Sequence, residues 1–267
     1  MRPSESVPYP PLAWRLYSVW YRHMRVYTRN LFSNGLPPFL EPLIFLAGVG
    51  LGLGQFIGTM DGVPYIEFLG VGLLVTAGMW TASFECTYGT FIRMEFEKVY
   101  DGMLAAPITA RDLIVGELIW AGTKGIFFTF AVLVVFLILA LFGYRVIPLP
   151  QALLTPLFGF LVGLMFGTMS MFVTSFVKVI NHFNFYFTGL LSPMFFFSGV
   201  VFPLSQLPRS LQWVAELVPL THPTRLVRGL CSGRYDWILL ADLAYILAFI
   251  AVMGLLAVRR LQKRMIR

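Results

Sequence analysis

Long apolar runs constrain this chain more than any other feature. Six runs of about 20 or more mainly apolar residues follow one another along the 267-residue sequence. A helix of that length crosses the roughly 30 Å hydrocarbon layer of a bilayer. Only 12% of the residues are charged, against roughly 25% in soluble domains, and no polar stretch is long enough for a separate soluble domain. The sequence therefore predicts an all-α integral membrane protein.

The apolar runs define the predicted domains and their orientation. We predict spans over about 36–57, 66–91, 113–142, 152–177, 183–202 and 237–258. Most basic residues lie before the first span, between the second and third, and after the sixth, so both termini are expected in the cytoplasm. The exceptions on the opposite side are Arg145, Arg209, Arg225, Arg228 and Arg234. We divide the chain into a cytoplasmic N-terminus with an amphipathic interface helix (1–35) and a six-span transmembrane domain (36–267), with no removable signal peptide expected.

The segment 203–230 is apolar but is not expected to form an ordinary span. It contains these prolines and arginines: Pro203, Pro208, Arg209, Pro219, Pro223, Arg225 and Arg228. Arginine near a helix centre costs about 2.5 to 3.5 kcal/mol on insertion, and an internal proline removes a backbone hydrogen bond. A helical wheel predicts two short amphipathic helices instead, with Pro219 at the bend and Gly229 at the end of the second. We expect a re-entrant pair on the outer side of the membrane.

The segment 12–32 is predicted to be an amphipathic helix in the cytoplasmic headgroup layer. Its apolar face holds Leu16, Trp20, Met24, Tyr27 and Leu31. Its basic face holds Arg15, Arg22, Arg25 and Arg29. The pattern fits a simple anchor and a lever that transmits motion into the first span equally well.

The cytoplasmic loop 93–117 is too short for a domain. Residues 94–104 can form about three helical turns that end before Pro107, and Thr109 and Asp112 can cap the start of the third span. Two interpretations remain open. The loop is either a charged connecting turn or a helix that docks into a groove of a cytoplasmic partner.

Three of the charged residues inside the predicted spans are expected to need a partner or water. These residues are Glu85, Glu117 and Lys124. At 1.5 Å per residue, Glu85 lies roughly 12 Å and Lys124 roughly 18 Å into the helix pair, a difference that a lysine side chain can bridge. We predict a Glu85–Lys124 ion pair within one subunit, as a structural clamp or as part of a polar path. Reversing both charges is expected to restore folding lost in either single variant.

Aromatic residues concentrate in the predicted fifth span. The residues considered for a substrate path are Phe185, Phe187, Phe195 and Phe196. Lipid-facing packing is the alternative explanation for these rings. Pro193 and Gly199 are expected to bend this span.

Several catalytic motifs are missing from the sequence. It contains no GxxxxGK[ST] phosphate loop, so we do not expect the chain to bind ATP by itself. The three histidines are far apart, and neither a metal site, a catalytic site nor nucleic-acid binding is predicted. Cys86 and Cys231 are expected to be unpaired thiols.

Three stretches resemble the membrane subunits of type 2 ATP-binding-cassette (ABC) exporters, most closely the subfamily that exports nodulation lipo-oligosaccharides. They are GVGLGLGQFIG, EFEKVYDGMLAAPITARDLIVGE and FFSGVVFPLSQLPRSLQWVAELVPLTHPTRLVRGL. The resemblance implies a homodimer in the bacterial inner membrane, in contact with membrane lipid. Two copies of a cytoplasmic ABC ATPase would bind ATP and Mg, so that this chain carries no cofactor. The cargo would be a lipo-oligosaccharide, another glycolipid or a polysaccharide.

The same resemblance implies roles for particular segments. The coupling helix on the ATPase would contain Glu95, Glu97, Tyr100, Asp101 and Leu104. Residues 14–32 would form the interface helix, and 203–230 would cap the exit, where Arg225 and Arg228 are candidates for contact with an anionic group of the cargo. The alternatives are an exporter of drugs or other lipids, a membrane scaffold without transport, and a proton-coupled carrier.

Overall fold

A computed structural model describes residues 9–144 and 150–265; Arg2, Arg145 and Arg267, all used in the charge count, lie outside the described residues. The helices are α1 (Leu12–Arg29), α2 (Leu31–Ile57), α3 (Tyr65–Phe96), α4 (Val99–Leu104), α5 (Ala110–Leu141), α6 (Gln151–Thr174), α7 (180–197), α8 (Arg209–Leu217), α9 (Thr221–Ser232) and α10 (Ile238–Met265). Strands β1 (Thr59–Met60) and β2 (Val63–Pro64) form a small hairpin between α2 and α3. The prediction of a mainly α-helical membrane protein is confirmed.

Five described helices are long and apolar enough to cross a membrane. They are α2, α3, α5, α6 and α10, which correspond to the predicted spans one to four and six. The predicted fifth span, 183–202, corresponds to α7, which ends at Phe197 and joins short 3-10, α and π segments. Its first turns contain the polar residues Asn181 and Asn184.

The centre of the bundle is built from α3, α5 and α6, which pack closely because small residues line their contacts. Gly159 and Gly163 lie one turn apart on α6 and face the backbone of α5. A Cβ atom on Gly163 would lie 2.8 Å from the carbonyl oxygen of Ala121. Such small-residue contacts let membrane helices approach backbone to backbone. This tight core fixes the positions of the charged side chains that α3 and α5 carry.

One end of the bundle, called the near end, brings distant parts of the chain together. The Arg264 guanidinium of α10 donates to the carbonyl oxygen of Val177 at 2.6 Å and to Glu95 at 2.8 Å. Arg15 of α1 pairs with Asp112 at the start of α5 at 2.5 Å. The near end therefore holds the first described helix and the end of the last one.

The opposite end, called the far end, is held together by one partly buried arginine. Arg228 of α9 donates to the carbonyl oxygens of Phe68 and Gly199 at 2.8 Å and of Val200 at 3.1 Å. These contacts join the start of α3, the residues after α7 and the helix α9. Since Val177 is at the near end and Gly199 at the far end, α7 runs from one end to the other.

The predicted helix of the cytoplasmic loop differs from the structure. The predicted 94–104 helix is broken, because α3 continues to Phe96 and Lys98 adopts a left-handed conformation with φ of 51°. The α4 helix is therefore shorter than predicted. The predicted cap of the third span is confirmed, since Thr109 and Asp112 form a capping box at the start of α5.

The predicted end of the second far-end helix was wrong. The α9 helix continues past Gly229 to Ser232 and ends at Gly233, which has a φ of 67°. Gly229 has a packing role instead, because a Cβ atom there would lie 2.6 Å from the Leu239 side chain. The predicted bend between α8 and α9 is present near Pro219. Both cysteines are buried and unpaired, as predicted.

Candidate functional site

An aromatic cavity of about 570 Å³ lies between α2, α3, α5 and α7. Its lining residues are Pro38, Glu41, Pro42, Phe45, Leu73, Thr76, Ala77, Trp80, Thr81, Phe84, Lys124, Phe128, Val132, Ser192, Phe195 and Phe196. The size falls in the range of small-molecule sites, which are mainly apolar with a few placed polar groups. The arrangement can therefore hold a molecule that is largely apolar and partly polar.

The four phenylalanines predicted for a substrate path occupy three different environments. Phe195 and Phe196 line the cavity. Phe187 lies behind its wall, with its ring 4.4 Å from that of Phe84. Phe185 is 78% exposed and is not part of the cavity. Phe195 and Phe196 thus remain the candidates from this set that can touch a bound molecule.

Lys124 places a positive charge on the cavity wall. Its ammonium donates a hydrogen bond to Glu85 Oε2 at 2.9 Å, so the structure brings together the two residues expected to pair. The ammonium also lies 5.3 Å from the centre of the Tyr27 ring and 5.6 Å from that of Phe128. Aromatic faces attract cations over such distances. The cation is therefore held between one carboxylate and two rings.

Arg93 joins this pair to a second buried carboxylate. Its Nη1 lies 2.8 Å from Glu85 Oε1, and its Nε lies 2.9 Å from Glu117 Oε1. Arg93 follows Glu85 by eight positions, and in a regular α-helix side chains at that spacing point about 80° apart around the axis. Two π-helical segments, Glu85–Gly89 and Ile92–Phe96, widen α3 here and let Arg93 reach back to Glu85.

Glu117 connects the ion pairs to the near end. Tyr100 of α4 donates to Glu117 Oε2 at 2.5 Å, and Thr90 donates to the same oxygen at 3.0 Å. His23 Nε2 of α1 lies 3.3 Å from Glu117 Oε1. Burial and the neighbouring Glu117 raise the pKa of Tyr100 well above its usual value. We call Lys124, Glu85, Arg93, Glu117 and Tyr100 the inner network; its contacts run without a gap from the cavity wall to α4.

The amphipathic helix α1 packs along α5. Val19 contacts the backbone at Gly116, where a Cβ atom would lie 2.6 Å from the valine side chain. Trp20 donates its indole N–H to Thr123 Oγ1 at 3.0 Å. Arg15, assigned to the basic outer face, turns inward to Asp112. The helix thus rests on the same element that carries Glu117 and Lys124.

The other residues expected on the coupling helix lie around α4. Glu95 pairs with Arg264 at 2.8 Å and with Lys98 at 3.8 Å. Glu97 and Asp101 are exposed at the near end, and Leu104 is partly buried. The exposed carboxylates are free to meet a partner chain, whereas Tyr100 points into the bundle.

A second group of ion pairs lies at the far end. Arg225 donates from Nε to Asp242 Oδ2 at 2.8 Å, from Nη2 to Asp242 Oδ1 at 2.7 Å, and from Nη1 to Glu216 Oε1 at 2.6 Å. His222 Nδ1 lies 2.8 Å from Asp242 Oδ1. We call Glu216, His222, Arg225 and Asp242 the far-end network. The hydrogen bonds to Asp242 raise the pKa of Arg225 above its usual value.

The other predicted exit residues surround this network. Pro203 is buried, Pro208 precedes the first turn of α8, and Arg209 is exposed. Burial lowers the pKa of Arg228 to about 9. Arg225 and Arg228, expected to meet an anionic group of the cargo, are already bound within the chain by carboxylates and carbonyl oxygens.

Sequence reasoning missed four polar residues inside or beside the predicted spans. They are His23, Glu41, Arg93 and Asp242. Glu41 lines the cavity and forms no ion pair with any described residue. A signal was available for Glu41 and Asp242, because each is an isolated carboxylate within a predicted apolar span.

Known proteins resemble the chain over most of its length. The sequence profile of the family described as ABC-2 type transporter matches residues 15–231. Nodulation protein J of Rhizobium meliloti is 36% identical over 84% of both chains, and Nodulation protein J of Rhizobium leguminosarum bv. viciae is 33% identical over 98% of both. The inner membrane transport permease YadH of Escherichia coli is 24% identical over 88% of this chain and 87% of its own. The profile match extends from α1 through nearly all of α9.

Proposed function

The chain belongs to the ABC-2 type transporter family, and from this premise we propose that it is the membrane permease subunit of an ATP-driven exporter. Its cargo is an amphiphile such as a lipo-oligosaccharide or another glycolipid, moved out of the cytoplasm or the inner leaflet. The likeness to the nodulation proteins J supports this cargo class. The mainly apolar cavity with a few polar groups supports an amphiphile in general.

We place the subunit in the bacterial inner membrane with six crossings and both termini in the cytoplasm. Five crossings are the long apolar helices, and the remaining one is α7, the fifth in chain order, which spans roughly 27 Å at 1.5 Å per residue. Arg15 of α1 and Arg264 of α10 both make their ion pairs at the near end. This shared position supports an even number of crossings between the two helices. The basic residues beside these contacts make the near end the cytoplasmic one.

The inner network is the observation that carries the proposed mechanism. It connects α4, which we propose as the coupling helix, to the wall of the cavity through Tyr100, Glu117, Arg93, Glu85 and Lys124. The interaction energy of a buried ion pair changes strongly with the distance between its charges, because the interior has a low dielectric constant. A displacement of α4 by a bound ATPase would therefore change the contacts of the cavity lysine.

We propose that two copies of the subunit assemble with two copies of a separate ABC ATPase, which binds ATP and Mg. The exposed carboxylates Glu97 and Asp101 near α4 support a docking surface at the near end. The α8–α9 pair, held by the far-end network, would cap the exit. The alternative cargo is a drug or another lipid, as would be moved by other exporters of the same family.

Purification with an ATPase tests this function. The permease is co-expressed with the ABC ATPase encoded beside its gene and is reconstituted in lipid nanodiscs. We expect a 2:2 complex whose ATP hydrolysis rises when a glycolipid is added, and we expect Phe196→Ala to weaken this response more than Phe185→Ala. A permease that binds no ATPase would contradict the exporter and would favour a scaffold subunit.

A further inference from the structure

The cavity wall contains a buried hydroxyl group without a hydrogen-bond partner. Thr81 lines the cavity and is only 6% exposed, yet its Oγ1 bonds to no described residue. A buried polar group without a partner costs about 1 to 3 kcal/mol. The cost disappears when a bound molecule supplies the partner. Thr81 thus indicates a polar contact point within a mainly apolar pocket.

Lys124 offers a second contact point on the same wall. An ammonium group has three N–H donors. One of them is bound by Glu85, and no other described residue accepts from this nitrogen. The remaining donors can bind hydroxyl or carbonyl oxygens of a molecule in the cavity. Glu85 is also bound by Arg93, so its charge stays paired when Lys124 contacts such a molecule.

Charge decides which head group fits between these residues. The inner network contains two carboxylates and two cations, so Lys124 has no excess positive charge to offer an anion. An anionic head group would also face Glu41, and a cationic one would face Lys124. An uncharged group with several hydroxyls avoids both repulsions, because it can donate to Glu41 and accept from Lys124.

We propose that Lys124, Thr81 and Glu41 form the head-group site of the cavity and that this site binds an uncharged, hydroxyl-rich group such as a sugar ring. The apolar tail of the same molecule lies along Phe45 and Phe196, which line the rest of the pocket. This inference rests on the proposed function, since it names the chemical class that the exporter binds.

Binding measurements with three probes of equal chain length test the site. Radiolabelled dodecyl glucoside, dodecyl sulfate and dodecyltrimethylammonium are each titrated, below their micelle concentrations, into the permease–ATPase complex in nanodiscs. We expect the wild type to bind the glucoside at least tenfold more tightly than either charged probe. Tighter binding of the sulfate or of the ammonium probe would overturn the assignment.

The variant Thr81→Val isolates the head-group contact, because it removes only a hydroxyl that has no partner within the described chain. We expect the glucoside to bind about fivefold more weakly, the loss of one hydrogen bond, with a melting temperature no lower than that of the wild type, because the removed hydroxyl has no partner among the described residues. Ser83→Ala is the matched control, since Ser83 also has an unpartnered buried hydroxyl but does not line the cavity. Equal glucoside affinity in the wild type and Thr81→Val would overturn the site.

The outcomes separate this inference from the proposed function. Glycolipid-stimulated ATP hydrolysis together with unaltered glucoside binding in Thr81→Val would refute the head-group site and leave the exporter intact. If a second copy of the chain fills the cavity, the complex would hydrolyse ATP but bind none of the probes, which also refutes the site. Absence of an associated ATPase would refute the exporter itself.

Discussion

The inner network and the far-end network use similar charges for different purposes. Each contains two carboxylates, and each joins them through one arginine: Arg93 in the inner network and Arg225 in the far-end network. The inner network connects α3, α4 and α5 and reaches both the cavity and the near end. The far-end network connects only α8, α9 and α10, which follow one another in the chain.

Burial separates the two networks further. The Glu117 side chain is 1% exposed, whereas those of Glu216 and Arg225 are 43% and 27% exposed. Water can replace part of a lost contact to Glu216 at the far end, but not one to Glu117 or to Asp242, whose side chain is also 1% exposed. Similar ion pairs therefore form a buried connection in the inner network and hold α8 and α9 to α10 at the far end.

Removing Arg93 should have the largest effect. The variant Arg93→Gln leaves two buried carboxylates with one cation, and breaking a buried pair costs about 3 to 5 kcal/mol. We expect little folded protein by size-exclusion chromatography in detergent. Arg209→Gln is the control, since Arg209 is exposed. Wild-type yield for Arg93→Gln would contradict a structural role of the inner network.

Reversing the Glu85–Lys124 pair should fail to restore folding. The sequence alone led us to expect rescue, but Arg93 lies 2.8 Å from Glu85, so a lysine at position 85 would face a second cation. The neutral double variant Glu85→Gln/Lys124→Gln should be more stable than Glu85→Gln alone, because it leaves no unpaired lysine. Melting curves of these three variants test this order, and full rescue by the reversed pair would contradict it.

Replacing Arg225 and Arg228 at the far end should reduce both the stability of the fold and export. Sequence reasoning expected Arg225→Gln/Arg228→Gln to impair export more than folding. Because Arg225 binds two carboxylates and Arg228 binds three carbonyl oxygens, we now expect a lower melting temperature and a matching loss of export. The effect should be smaller than for Arg93→Gln, since water reaches Arg225. Normal melting with abolished export would instead support contact with the cargo.

The sequence predicted the parts of the fold that depend on long or strong patterns. Apolar runs located the long helices, and Thr109 with Asp112 marked the start of α5. The pairing of Glu85 with Lys124 followed from helix rise alone. The two-residue turn Asp61–Gly62, with both φ values positive, is a standard hairpin signal, but the prediction from sequence did not include the β1–β2 hairpin.

Other features depend on local geometry that a sequence pattern does not encode. Charge counting assigned Arg93 to the connecting loop, but the π-helical segments of α3 bring it inside the bundle beside Glu85. Averaging hydropathy over a span also hid Glu41 and Asp242. Gly229 packs against Leu239 inside α9, a contact made only in the folded chain, and the helix ends at Gly233 instead.

The smallest structural change gives the most direct test of the proposed connection. Tyr100→Phe removes one hydroxyl from the inner network, while Glu117 keeps its contacts to Arg93 and Thr90. Tyr88→Phe is the control, because its hydroxyl bonds to Asn184 outside the network. We expect both variants to assemble with the ATPase and to keep basal hydrolysis.

The decisive measurement is the ratio of glycolipid-stimulated to basal ATP hydrolysis in the reconstituted complex. If the inner network connects the cavity to α4, the ratio falls at least threefold in Tyr100→Phe and stays at the wild-type value in Tyr88→Phe. An unchanged ratio in Tyr100→Phe, with the complex intact, would contradict the connection.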